Sequence, residues 1–282
     1  MKVFKTQKKL RTYFKEFYSE NTTIGFVPTM GALHKGHVSL IEESQRNNDI
    51  TIASIFVNPT QFNKKEDLEN YPRTIKSDLN LLEKVHCDVV FIPSVSEIYT
   101  NTISASHFNF DGLESQMEGR FRKGHFNGVG TIVKKLFEIL QPTNAYFGEK
   151  DFQQLQIVRK MAEKNHLPVA VVGCSTFRED DGLAMSSRNK RLTDGERNAA
   201  SIIYKILKKT AEKIQTHSID DIKKWVSNEF KKHSFFELEY FVIAEEETLE
   251  NATILSPKKQ YRAFIAVYAN TIRLIDNISL TY

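Results

Sequence analysis

The feature that most limits what this chain can fold into is an alternation. Short β-branched runs take turns with stretches of helical period through the first two thirds of the sequence. Thr22–Pro28 (TTIGFVP) predicts a strand stopped by its proline, and Gly36–Arg46 a helix. Ile50–Val57 (ITIASIFV) predicts a second strand. Ile75–Val85 is amphipathic, with Ile75, Leu79, Leu82 and Val85 at helical spacing. Asp88–Ile92 and Ala145–Phe147 read as strands, Val129–Leu140 and Phe152–Asn165 as helices, and Val169–Gly173 as a further strand. This β-α-β-α order predicts a parallel sheet with helices on both faces, joined by right-handed crossovers. At the N-terminus, Val3, Leu10, Phe14 and Phe17 stand at near-helical spacing and predict the buried face of a first helix.

After about Cys174 the pattern changes. Thr193 and Glu196 form a capping box, which predicts a long helix from there to about Gln215. A second helix is expected over Asp220–Lys232. Leu238–Ala244 and Tyr261–Ala269 alternate like antiparallel strands, with Ile272–Ile275 as a candidate third. The expectation is a Rossmann-like, doubly wound α/β domain over residues 1–175 and a smaller α+β lid domain over 176–282.

Composition narrows the classes of function. Lys and Arg number 39 against 35 Asp and Glu, for a net charge of +4. The basic residues are scattered among acids except near the N-terminus and at Arg120, Arg122 and Lys123, so no nucleic-acid stripe is expected. The Arg120–Lys123 loop could screen phosphate, steer anions or line a subunit interface. No apolar run is long enough to span a bilayer, and the basic N-terminus lacks the apolar stretch of a secretory signal. Cys87 and Cys174 lie far apart without metal-ligand spacing, and both are expected to be reduced, in a cytoplasmic protein. No protein metal site is expected.

In an open parallel sheet, ligands bind beyond the carboxyl ends of the strands. Four polar, glycine-bearing segments fall at or near such ends: PTMGALHKGH (28–37), VNPTQF (57–62), FGEKD (147–151) and DGLAMSSRN (181–189). In the first, His34 and His37 flank Gly36 where a strand turns into a helix. A helix N-terminus offers free amides and a positive dipole, which suit phosphate, and either imidazole can donate to a phosphate oxygen. The chain has no GxxxxGK[ST] loop, and Gly128-Val-Gly130 lacks the third glycine of a dinucleotide fingerprint. These absences argue against a phosphate-loop kinase and a dehydrogenase.

His34-Lys-Gly-His37 resembles the HxGH signature of the nucleotidyltransferase superfamily, whose members attack the α-phosphate of ATP. With FVNPTQF, YPRT, GHFNGV, FGEKDFQQL and DGLAMSSRN in this order, the whole chain resembles the pantoate–β-alanine ligases. The resemblance implies ATP contacts from Met30, Gly31, Ala32 and Leu33, and from His34, Lys35, Gly36 and His37. It implies more from Gly148, Glu149, Lys150 and Asp151, and from Phe177, Met185, Ser186, Ser187 and Arg188. His34, His37 and Lys150 would be catalytic, with His37 the best candidate for proton donation. Gln61 and Gln154 would bind pantoate, Gln61 also β-alanine, and Met30 and Phe62 would wall the gem-dimethyl group. Two departures stand out: Phe177 replaces a small aliphatic residue, and Met185-Ser-Ser-Arg188 lacks the lysines of KMSKS-type loops.

The reaction so implied joins (R)-pantoate and β-alanine through pantoyl adenylate, giving pantothenate, AMP and diphosphate. Mg²⁺ would bridge ATP phosphates with few protein ligands, and the chain would form a homodimer through its N-terminal domain. Two other readings stay open on the residues alone. One is a nucleotidyltransferase that keeps its nucleotidyl product; the other is a nucleotide-binding module without turnover.

Overall fold

The computed structural model describes residues 1–17, 19, 21–62, 65–100 and 102–281. They divide into two compact units: Met1–Glu149 with Gln153–Ser175, and Lys150–Phe152 with Thr176–Tyr282. The short Lys150–Phe152 segment therefore belongs with the later unit although it precedes it in sequence.

The first unit holds six strands: β1 (Lys2–Phe4), β2 (Ile24–Thr29), β3 (Ile50–Ile55), β4 (Val89–Phe91), β5 (Asn144–Gly148) and β6 (Ala170–Cys174). Their order is β1-β4-β3-β2-β5-β6, and every neighbouring pair is parallel. β3 is buried along its whole length, as a central parallel strand covered on both faces must be. Between the strands run α1 (Gln7–Phe17), α2 (Lys35–Asn47), α3 (Lys65–Glu69), α4 (Ile75–Lys84), α5 (Val95–Ile98), α6 (Met117–Phe121), α7 (His125–Leu140) and α8 (Phe152–Lys164). The chain moves outward from β2 through β3 to β4, then returns to lay β5 on the other side of β2. That reversal is the topological switch point, where doubly wound folds place their ligands. The carboxyl ends of β2 and β5 flank it, and they lead directly into residues 30–37 and 149–151.

The second unit carries α9 (Asp194–Ala199), α10 (Ile202–Lys213) and α11 (Ile219–Phe230) beside an antiparallel sheet. Its strands β7 (Phe236–Glu245), β8 (Tyr261–Ala269) and β9 (Ile272–Leu280) pair in sequence order. Ile203, Ile206 and Leu207 of α10 and Ile222, Val226 and Phe230 of α11 meet Ala263, Ile265 and Val267 of β8 in one apolar core. The fold class is the expected one: a doubly wound parallel sheet followed by a smaller α+β unit.

Five local expectations need correction. Val3 is in strand β1, paired with Val90, and is not on a helix; of the predicted helical face only Leu10 is fully buried, while Phe17 is 63% exposed. Ile75 is exposed, and the buried face of α4 is made by Asp78 and Leu82. The helix expected from 129 begins at His125, because its first turn packs on the segment after β3. The helix expected from 194 to 215 is interrupted at Ala200–Ser201, where i→i−3 bonds (Ala200 N–H to Arg197, Ile203 N–H to Ala200) tighten a backbone that stays right-handed. The third C-terminal strand, expected over Ile272–Ile275, extends to Leu280.

Candidate active site

The turn between β2 and α2 is the most constrained part of the first unit. Gly31 and Ala32 both take positive φ, +84° and +51°, the second a strained value for a residue with a side chain. The buried carboxylate of Asp78 on α4 braces this turn. It accepts the amides of Ala32 at 3.1 Å and Leu33 at 2.8 Å, and the Thr74 hydroxyl at 3.1–3.2 Å. A Cβ on Gly31 would lie 3.0 Å from the same carboxylate, so a substituted residue would crowd the brace. Asp78 was not anticipated from sequence. The signal was present: it is an acid on the apolar face that Leu79 and Leu82 define.

His34 is the N-cap of α2, with extended backbone (φ −146°, ψ 177°). Its Nδ1 accepts the Gly36 amide at 3.2 Å, and the Nδ1 of His37 accepts the His34 amide at 3.3 Å. This is a capping box made from two imidazoles, whose ring centroids lie 4.1 Å apart. Because both Nδ1 atoms accept, the proton of each neutral ring sits on Nε2. The amides of Ala32, Leu33, His34 and Gly36 are engaged within this turn. Leu33 lies in the apolar core, and Lys35 is exposed.

The segment after β3 places Gln61. Asn58, 1% exposed, donates from Nδ2 to Gln61 Oε1 at 3.2 Å and to the Gly128 carbonyl at 3.1 Å. Its Oδ1 accepts the Tyr99 hydroxyl at 2.7 Å and the Thr60 hydroxyl at 3.1 Å. His125 Nδ1 lies 2.9 Å from the Gln61 carbonyl, so that nitrogen carries the proton. Gly128 is required here, since a Cβ would come within 2.3 Å of the Thr60 carbonyl oxygen. Gln61 Nε2 reaches the Met30 sulfur at 3.0 Å, bringing together two of the predicted site residues from different loops. Phe62 stacks edge-on against Tyr71, with centroids 5.6 Å apart. Gln154 is half-buried on α8. Its neighbour Gln153 is buried and spans Glu118, Leu113 and Gln116 through three hydrogen bonds, a packing role. Tyr99, His125 and Gly128 were missed as contributors because each reaches the Asn58–Gln61 segment from a distant stretch of chain, and Asn58 because only these partners reveal it as a brace.

The second unit holds the remaining predicted residues. Lys150 Nζ is 3.5 Å from Asp151 Oδ1, with the lysine side chain 17% exposed. Phe177 and Met185 close a small hairpin, the Phe177 carbonyl accepting the Met185 amide at 2.9 Å. Ser186 caps the tight turn Ser187–Arg191, its hydroxyl accepting the Arg188 amide at 3.2 Å. Asn189 anchors that turn from below, donating to Glu179 at 2.6 Å and to the Ala184 carbonyl at 3.1 Å. Arg188 is exposed. In the first unit Glu149 follows Gly148, and a Cβ on Gly148 would meet only open space. Arg122, in the basic loop before α7, stands 4.0 Å from Glu118.

Neither cysteine is set up as a nucleophile. Burial pushes the Cys87 thiol up to about 12 and that of Cys174 up to about 11. Among the described residues, no group of three or more His, Cys, Asp or Glu side chains is placed to hold a metal ion. Among the same residues, no helix is long and apolar enough to cross a membrane.

A doubly wound parallel sheet, with an imidazole pair capping the helix at its switch point, defines a Rossmann-like α/β protein of the ligand-binding kind. The family model for pantoate–β-alanine ligase matches residues 2–279. A pantothenate synthetase of Flavobacterium psychrophilum is 54% identical over 281 residues, 99% of this chain and 100% of that one. The crystal structure of pantothenate synthetase from Thermus thermophilus matches with a TM-score of 0.90 at 38% identity, covering 99% of both chains. A pantoate–β-alanine ligase from Francisella tularensis, complexed with β-γ ATP and β-alanine, matches with a TM-score of 0.80 at 32% identity, over 99% of this chain and 97% of that one. The chain belongs to the pantoate–β-alanine ligase family.

Proposed function

We propose that this chain condenses (R)-pantoate with β-alanine at the expense of ATP, through pantoyl adenylate. The observation that carries the reading is the imidazole capping box at the end of the central strand β2. It places two imidazoles, each with its proton on Nε2, at a helix N-terminus, a local environment that favours negative charge.

A carboxylate is a poor electrophile toward an amine. In the first step a pantoate carboxylate oxygen bonds to the α-phosphorus of ATP, and the bond from that phosphorus to the bridging oxygen breaks. Diphosphate leaves with the electron pair. In the second step the β-alanine amine attacks the acyl carbon of the mixed anhydride, expels AMP and gives up a proton. No protein nucleophile is needed, so the enzyme's work is orientation, charge neutralisation and exclusion of water. His34 and His37 donate hydrogen bonds from Nε2–H to ATP phosphate oxygens, and His37 stabilises in this way the charge that gathers on the departing diphosphate. Lys150 stabilises the charge that builds on the α-phosphate. Ser186, Ser187 and Arg188 contact the outer phosphates with two hydroxyls and a planar cation.

Gln61 and Gln154 bind the hydroxyls and carboxylate of pantoate, with Met30 and Phe62 against its methyl groups. The Gln61–Met30 contact supports this assignment. Gln61 also meets β-alanine. The main-chain segments at Gly31, Gly148 and Asp151 approach the nucleotide, as does Phe177. Mg²⁺ would be held by the ATP phosphates and would neutralise their charge, while the imidazoles, hydroxyls and cations of this chain suit the phosphates rather than the metal. The chain works as a homodimer through its N-terminal unit. The unpaired thiols Cys87 and Cys174 fit the reducing cytoplasm.

The deciding experiment is isotope exchange between diphosphate and ATP with pantoate present and β-alanine absent. Pantoate-dependent exchange is expected. Full synthesis of pantothenate without any such exchange would sink the adenylate route.

A further inference from the structure

Two neighbouring residues of β9, Asp276 and Asn277, are 3% and 2% exposed, and the reaction described above assigns them nothing. They hold two separate pieces of the same unit. Asn277 Nδ2 donates to the main-chain carbonyl of Lys150 at 2.9 Å. Its Oδ1 accepts from Arg262 at 2.6 Å, and that guanidinium lies 4.0 Å over the ring of Phe152. The Lys150–Phe152 segment is thus gripped at its first residue by an amide and at its third by a stacked cation.

Asp276 grips the other piece. Its two oxygens accept both terminal nitrogens of Arg178, at 2.7 and 3.0 Å. Arg178 also donates to the Gly182 carbonyl at 3.1 Å and to the Asn277 carbonyl at 3.3 Å, and it stacks 3.7 Å from the Tyr204 ring centre. Arg178 lies in the hairpin closed by Phe177 and Met185, whose exit strand runs straight into Ser186–Arg188. The main-chain amide of Asn277 donates to Asp276 Oδ1 at 2.7 Å, which fixes the Asp276 carboxylate against the backbone that carries Asn277. Burial pushes the Asp276 carboxyl up, against the pull of Arg178. A buried ion pair of this kind adds little stability over apolar packing of the same volume, whereas its geometry is narrow and directional. That balance favours a positional role.

We infer that Asp276 and Asn277 are positioning residues for adenylate formation, fixing Lys150 and the Ser186–Arg188 turn in one shared frame. The inference rests on the roles given above to Lys150 and to that turn. Misplacing a reacting group by a fraction of a bond length is enough to matter, and losses on the order of a hundredfold follow from about 1 Å.

The test uses Asn277→Asp in the full-length protein. It keeps the size of the side chain and the acceptor for Arg262, and removes the donor to the Lys150 carbonyl. Pantoate-dependent exchange of diphosphate into ATP is expected to fall about ten- to a hundredfold, with the KM for pantoate within about twofold of the parent. Single-turnover reaction of chemically prepared pantoyl adenylate with β-alanine is expected to keep its rate. In a Lys150→Ala background the same substitution adds no further loss, because its effect runs through the lysine side chain. Equal losses in both half-reactions, or a fully additive double variant, would overturn the inference and leave only a structural role. Normal exchange in Asn277→Asp beside crippled exchange in Lys150→Ala overturns it too, while leaving the role of the lysine intact. Normal exchange in Lys150→Ala removes the underlying assignment instead. Arg178→Lys tests the other arm, and decides the matter if Asn277→Asp does not fold. It keeps a positive charge for Asp276 and loses the second hydrogen bond. A selective loss in exchange supports the frame; unaltered exchange rejects it.

Discussion

The two units build their proposed ligand-binding groups in opposite ways. The first makes its imidazole pair within one turn of helix, each ring held by an amide two or three residues away. The second holds Lys150 by a residue 127 positions further along the chain, and the Arg178 hairpin by one 98 positions away. Local construction needs only a helix start and the right four residues. Construction at a distance needs the whole β7-β8-β9 sheet to form first. The first kind should survive damage elsewhere in the unit, and the second should not.

The largest expected effects probe the groups themselves. His37→Ala and Lys150→Ala should each remove at least ~2.7 kcal/mol of transition-state stabilisation, about a hundredfold in the rate of pantoate-dependent exchange. Lys150→Ala should unfold near the parent's denaturant midpoint, while His37→Ala also removes the acceptor of the His34 amide and should lose about 1 kcal/mol of stability. Near-parental exchange in either would exclude that residue from the chemistry. A smaller effect separates local from distant support. Asp78→Ala leaves the buried amides of Ala32 and Leu33 without their acceptor, which should destabilise the first unit by about 1–3 kcal/mol in urea unfolding. An unmoved midpoint would mean that water replaces the carboxylate and the turn needs no brace.

The cap of α9 offers a comparable local device in the other unit. Thr193→Ala breaks its capping box and should lower stability by about 1 kcal/mol, read from thermal unfolding. Exchange should be unaffected, and a large loss of exchange would show that the Ser186–Arg188 turn depends on that helix start. The smallest effect concerns Asp49. The backbone and hydroxyl of Thr23 hold its carboxyl below the usual range. Its folded value lies under its unfolded one, so its contribution is present above the unfolded value and lost as pH falls through the folded one. Asp49→Asn should therefore lower stability slightly in the neutral region, leave it unchanged at the acid end, and so flatten the acid limb of the curve. A steeper acid limb would contradict the assignment.

The fold class was readable because parallel strands buried on both faces must be continuous apolar runs, as in Ile50–Ile55, and because their helices keep a helical period. Pattern failed where burial came from one side only. Val3 looked helical because a three-residue edge strand is too short to show its own period. Ile75 looked buried because it shares the spacing of Leu79 and Leu82, yet as the first residue of α4 its side chain is exposed.

The candidate site divides in the same way. The sequence by itself determined the imidazole pair, since a capping box is written in adjacent residues and needs no partner from elsewhere. It also marked Gln61, Lys150 and the Ser-Ser-Arg run as polar groups at loop positions. Only the tertiary structure decided what holds them. Asp78 under the Gly31–Leu33 turn, Gly128 against Asn58, and Asp276 with Asn277 behind Lys150 and the Arg178 hairpin are contacts between segments far apart in the chain. Hydrogen bonds at that separation follow from which strands lie side by side, and strand order is set by the burial of the whole sheet rather than by any local run of residues.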